Sequence, residues 1–144
     1  MLVAESNLKY ELEDVYILST GVFYFFEDFI ISEINEGVHF NWEAAQDVIE
    51  LALNHYGRES KISYISNRIY SYSIEPQDWL KFFKSRHTLR AFAVVTYSRS
   101  GLINVMMEKL FFKSKIKTFK DLYDATDWVS KYQPTIRKKS MMVY

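Results

Sequence analysis

Two short stretches hold most of the side chains that could do chemistry. One is Ser66-Asn67-Arg68, followed by Ser71 and Ser73 with Tyr64, Tyr70 and Tyr72 interleaved; the other is Arg99-Ser100-Gly101. Each follows an apolar, strand-like run and precedes a helix signal. Ligands of open α/β sheets gather beyond the carboxyl ends of the strands. A helix N-terminus there offers unpaired N–H groups to an anion. Arg68 and Arg99 would add fork-shaped donors that fit a carboxylate or a phosphate. The combination suggests a small-ligand or partner site built from Asn67, Arg68, Arg99, Ser100 and the Gly101 amide, with Ser66, Ser71 and Ser73 beside it. The alternative is a pair of polar loops whose arginines are solvated.

Other chemistries find little support. The chain has no cysteine, which removes disulfides, thiol nucleophiles and cysteine metal sites, and fits a reducing compartment. His39, His55 and His87 share no ligand spacing, so no metal site is expected. There is no P-loop and no GxGxxG, hence no nucleotide cofactor. No GxSxG supplies a nucleophile elbow, and Glu33 and Glu36 have opposite parity on a strand, so they do not form a carboxylate pair. No catalytic residue and no cofactor is expected, and a binding role is favoured over an enzyme.

The charge is unevenly spread. Residues 1–50 carry eleven Asp and Glu against Lys9 alone, a net of −10, whereas residues 51–144 carry seven acids and seventeen Lys and Arg, a net of +10. Intermixed halves would cancel. Halves that stay apart would steer a charged partner or pair with a second copy as a homodimer. Lys109, Lys113, Lys115, Lys117 and Lys120, with Phe111, Phe112 and Phe119 between them, form the densest basic segment. It reads either as a surface for nucleic acid or anionic lipid, or as a helix and edge strand with lysines outward. Zero net charge favours the second, so nucleic acid is not an expected partner. Met106 and Met107 are expected in the core. The N-terminus has no basic, apolar leader pattern, and no apolar run approaches the roughly 20 residues of a membrane span; a cytoplasmic protein is the expectation.

The elements that must position these residues are moderately marked. Residues 10–19, 22–26 and 29–35 read as strands, the last two joined by a hairpin at Glu27-Asp28. Asn41 can cap a helix whose stripe is Trp42, Ala45, Ile49, Ala52 and Tyr56, ended by Gly57. KISYIS is a strand, Glu75-Pro76 opens a short helix with Trp79, Leu80 and Phe83 inward, and LRAFAVVTYS (89–98) is a buried central strand. Ser100-Gly101 opens a third helix with Leu102, Val105, Met106 and Leu110 inward. KIKTF (115–119) is a short strand, and Thr118-x-x-Asp121 starts a fourth helix carrying Leu122, Ala125 and Val129. The result is an α/β domain over residues 1–134, with a mixed sheet of about four to five strands and about four helices, followed by a basic tail at 135–144.

This order resembles the STAS domain, the SpoIIAA-like fold of anti-sigma-factor antagonists, and more loosely the lipid-binding CRAL-TRIO (Sec14-like) proteins. The resemblance covers roughly residues 15–132, and the phrases ISEINEG, YISNR and EKLFF are similar to small bacterial proteins of the SpoIIAA-like group. It implies a module that binds a protein partner in bacterial regulation. It also implies a serine phosphorylated at the start of the helix after the central strand, in an Asp-Ser-Ser-Gly context. The corresponding segment here, SNRIYSYSIEPQDW, lacks that motif, so the phosphoswitch is not carried over; Ser71 or Ser73 at most occupies the neighbourhood. A small-ligand carrier or sensor for a carboxylate, phosphate or lipid at the Arg68/Arg99 edge is the alternative function.

Overall fold

In the computed structural model, which describes residues 1–132, the aromatic and β-branched runs of the N-terminal third become an antiparallel meander. It consists of β1 (Asp14–Leu18), β2 (Gly21–Phe25) and β3 (Phe29–Ile34). The rest alternates strands and helices: β4 (His39–Phe40), α1 (Trp42–Tyr56), β5 (Ser63–Arg68), β6 (Ser73–Ile74), α2 (Asp78–Lys84), β7 (Phe92–Thr96), α3 (Arg99–Glu108), β8 (Ile116–Phe119) and α4 (Leu122–Lys131). The segment 135–144, read above as a basic tail, lies outside the described residues.

The main sheet has six strands in the order β1-β2-β3-β5-β7-β8, more than the four to five expected. β5, β7 and β8 each add in parallel to the strand before. β4 and β6 form a separate parallel pair. Because every crossover steps the same way across the sheet, a common right-handed connection places α1, α2 and α3 on one face. α4 lies on the other, with two 3₁₀ turns, Val3–Glu5 and Asn7–Glu11.

Strand parity then sorts the core. Phe29, Ile31, Ile65, Ala93 and Val95 meet Leu122, Ala125 and Val129 of α4 in one apolar cluster. On the opposite face there are two clusters rather than one. Phe23, Phe25, Ile30 and Ile34 gather under Val48 of α1, and Phe92, Val94 and Ile116 pack with Val105 and Phe112. Rings dominate the buried volume: Phe23, Phe25, Phe26 and Phe92 are among the largest fully buried side chains.

Helix ends follow local chemistry. Asn41 Oδ1 accepts from the Ala44 amide at 3.0 Å, and Gly57 ends α1 at φ +89°. Asp121 caps α4 itself, accepting from the Tyr123 and Asp124 amides at 2.7 and 3.2 Å; the expected Thr118 box does not form, because Thr118 is still in β8.

α3 departs most from expectation. Ser98 caps it, accepting from the Gly101 amide at 3.1 Å, and its buried residues are Val105 and Glu108. Leu102, Met106, Met107 and Leu110 are exposed. The rotation is fixed from below: a side chain at Gly101 would collide with the Thr96 hydroxyl, so this is the point where helix and sheet come closest.

Because strand order follows chain order, the acidic half of the sequence builds the β1–β3 side of the sheet and the basic half the β5–β8 side. The strands of the two halves do not intermix, although the N-terminal turns of the acidic half pack against β7 and α4 of the basic half.

Gly21 lies opposite Ile34 in the β2–β3 ladder. An added Cβ would collide with the Glu33 backbone and lie 2.8 Å from Ile34 Cα. Main chain in a central ladder cannot give way as a flexible side chain can. Gly21→Ala is therefore expected to lower the unfolding free energy by about 2 kcal/mol or more, read as a lower urea midpoint at unchanged m-value.

Candidate functional site

Ser66, Asn67 and Arg68 are the last residues of β5 rather than a loop after it, so their side chains alternate between the two faces. Ser66 and Arg68 point, with Tyr64, toward α1–α3. Asn67 points toward α4 and the N-terminal turns. Its Nδ2 donates to Glu33 Oε2 and to the Met1 carbonyl, both at 2.9 Å, and its Oδ1 accepts from Tyr97 OH at 2.9 Å. Glu33 Oε2 also accepts from the Val3 amide at 2.8 Å. Burial raises the pKa of the Glu33 carboxyl, with the Val3 and Asn67 bonds pulling the other way. Burial, then the nearby Glu33, pushes the Tyr24 phenol up to about 12. This polar group ties β3, β5 and the N-terminal turns together.

The other face carries the candidate site. Arg68 is only 8 % exposed and meets Glu108 of α3, at 2 %, through Nη2 and Oε2 at 2.6 Å. Arg68 Nε donates to Ser66 Oγ at 3.0 Å, and Ser66 Oγ is 2.9 Å from Tyr72 OH. Trp79 of α2 donates from Nε1 to Glu108 Oε1 at 3.1 Å. Burial alone would lower the Arg68 pKa, but Tyr72 and Glu108 outweigh it, so the guanidinium is held more firmly charged. Glu108 Oε2 has no hydrogen-bond partner among the described residues; the guanidinium approaches it as an ion contact without hydrogen-bond alignment. A buried carboxylate oxygen thus keeps acceptor capacity to spare.

That oxygen belongs to the lining of a cavity of about 210 Å³. The cavity fills the gap between the two apolar clusters on this face. Ile30 and Ile34 form its floor, Val48 and Ala52 of α1 one wall, and Trp79 and Phe82 of α2 another. Ser66, Tyr72, Arg68 and Glu108 form its polar end. Further out, Arg58, Arg86 and His87 line the same space; burial and Arg58 lower the His87 pKa.

The residues singled out from sequence therefore part company. Ser66 and Arg68 line the cavity. Arg99 and Ser100 are exposed on the first turn of α3, and the Gly101 amide is already satisfied by Ser98. Ser71 and Ser73 lie on the segment that zips onto the β3–α1 connection: Gly37 N donates to Ser71 O at 2.8 Å and Ser73 N to Val38 O at 2.9 Å. Ser73 Oγ is 2.7 Å from His39 Nδ1, and His39 Nε2 meets Glu75 at 2.8 Å. An anion held jointly by Arg68 and Arg99 does not arise, because Glu108 has already matched Arg68. Sequence reasoning missed Glu108, Trp79 and Tyr72. The available signal was the stripe Gly101, Val105, Glu108, Phe112, which has helical spacing but competes with a more apolar stripe beside it.

A solved structure has the same architecture. A crystal structure of an uncharacterised protein of the DUF3478 family from Shewanella loihica, with a SpoIIAA-like fold, matches with a TM-score of 0.53 at 14 % identity, covering 81 % of this chain and 90 % of that one. This chain has a SpoIIAA-like fold. No protein-family model and no curated protein matches it. Within the SpoIIAA-like fold the segment after the central strand is closed down by the β4–β6 pair and by Tyr72, which reaches back to Ser66. Ser66 Oγ lies between a phenol and a guanidinium, neither of which is placed as a base to take its proton, so it acts as a hydrogen-bond relay.

A buried ion pair depends on both partners. Arg68→Met alone or Glu108→Leu alone is expected to lose about 3–5 kcal/mol of stability, and the double variant to recover most of it. A denaturation double-mutant cycle reads the coupling; additive losses would show that the pair does not act as a unit.

Proposed function

We propose that this chain is a non-enzymatic binding module that holds a small apolar molecule carrying one neutral donor, a hydroxyl or an amide N–H, in the cavity between α1 and α2. What supports the reading is one observation: Glu108 Oε2, held by Arg68 as an ion contact but by no aligned hydrogen bond, at the inner polar end of a cavity whose floor and walls are mainly apolar. A carboxylate oxygen has more than one lone pair, so Oε2 can accept from a ligand O–H or N–H beside its contact with Arg68. The charge balance points the same way. Arg68 and Glu108 neutralise one another, so a carboxylate or phosphate at this end would bring in an unmatched buried charge. Size narrows the class further. At about 210 Å³ the cavity is smaller than typical ligand sites of about 300–1,000 Å³, which suits a short chain or a single ring rather than a two-chain lipid.

1-Octanol and its isomer heptyl methyl ether separate the donor from the apolar body. Octanol is expected to raise the melting temperature with saturable dependence, and the ether to bind roughly tenfold or more weakly. The difference is expected to vanish in the Arg68→Met/Glu108→Leu double variant, which keeps the apolar walls. Equal stabilisation of the wild-type protein by the two isomers, or by neither, would overturn the reading.

A further inference from the structure

α3 is turned inside out. Gly101, Val105 and Glu108 face the sheet, with buried Phe112 just beyond the helix. Leu102, Ile103, Met106, Met107 and Leu110 face outward, Met106 at 65 % and Leu110 at 72 % exposure. At about 100° per residue the four on the helix fill an arc of roughly 140°, and Leu110, in the turn just past Lys109, continues it. Single exposed apolar residues are ordinary, but a contiguous apolar helix face marks a surface that meets something else.

Within its own segment the exposed charge beside this face has one sign. Arg99, Lys109, Lys113 and Lys115 are exposed beside it. The only acid between residues 99 and 120 is Glu108, which is buried against Arg68. Lys117, by contrast, lies on the other face of the sheet, over the Trp128 ring of α4. An apolar arc flanked by the exposed cations of its own segment is what an anionic lipid surface selects: the Leu, Ile and Met side chains enter the acyl boundary, and the lysines stay at the headgroup phosphates.

We infer that α3 is a docking surface for an anionic lipid bilayer, on which the helix lies flat. At ten residues it is about 15 Å long, too short to cross. Other occupants fit less well. The five apolar side chains do not line the cavity described above, and an outward-facing arc on one helix offers a flat face rather than walls for an amphipathic peptide. The rim is mainly lysine, a point charge on a flexible stem that suits a diffuse anionic surface, rather than arginine with its fixed fork. A second copy related by a two-fold axis would bring like charges together.

Sedimentation of the full chain with phosphatidylcholine vesicles, with and without phosphatidylserine, tests this. Binding is expected only where phosphatidylserine is present, and it should weaken with added salt. Met106→Asp/Leu110→Asp, two exposed positions, should abolish it; Lys113→Gln/Lys115→Gln should weaken it by about tenfold or more. Circular dichroism and melting temperature identify variants that stay folded. Failure to bind either vesicle overturns the proposal, as does binding that survives the aspartates. Self-association of the wild type that the aspartates abolish, without vesicle binding, assigns the face to a second copy instead.

Discussion

The contact between Arg68 and Glu108 governs more of this molecule than any other pair. Both side chains are nearly dry, so each makes the other tolerable where it lies. Through it the end of the central strand β5 takes hold of α3, and Trp79 brings α2 to the same carboxyl group. With Glu108 turned inward at one end of α3 and Gly101 against Thr96 at the other, the rotation of the helix is set, and five large apolar side chains point outward. A charge under the helix and grease above it are one structural decision. The same pair closes the polar end of the cavity, so the packing of two helices and the character of the internal site share a single origin.

The two faces of the sheet differ because their helices are related to it differently. α4 lies across β5, β7 and β8 and completes one continuous apolar cluster with the N-terminal turns. On the other face α1 and α3 sit over opposite halves of the sheet. Their clusters do not merge, and among the described residues Tyr64 alone packs against both. Its hydroxyl donates to Ser32 at 2.6 Å, and burial raises its pKa, so it stays neutral and apolar in effect. The cavity is the space that α2, a helix of only seven residues, does not fill.

Local chemistry carried much of the fold into view at the level of sequence. Asn41 and Gly57 bound α1 because side-chain capping and left-handed backbone are local properties. The apolar run of β7 could only be a central strand. The site was less legible, for physical reasons. Ser66, Asn67 and Arg68 look like a loop because they are polar, yet β5 continues through them and the sheet satisfies each residue on its own face. Hydrophobic periodicity chose the wrong side of α3, since a stripe of Leu, Met and Leu outscores one containing Gly and Glu. Nothing local says that Gly101 must touch Thr96 or that Glu108 will meet an arginine forty residues earlier. The separation of charge was visible as a count, but its survival in space depends on strand order.

That strand order has a consequence for how the chain reaches its structure. Every strand of the main sheet after the first pairs with the strand immediately before it in that sheet. The chain never has to return and insert between partners already joined, the slow, non-local step in many sheet proteins. The β1–β3 meander is a finished template when β5 arrives, β5 when β7 arrives, and β7 when β8 arrives. A ribosome releasing the chain from its N-terminus therefore delivers strands in the order in which the sheet can accept them. The edge exposed while synthesis continues is always the one the next strand will cover.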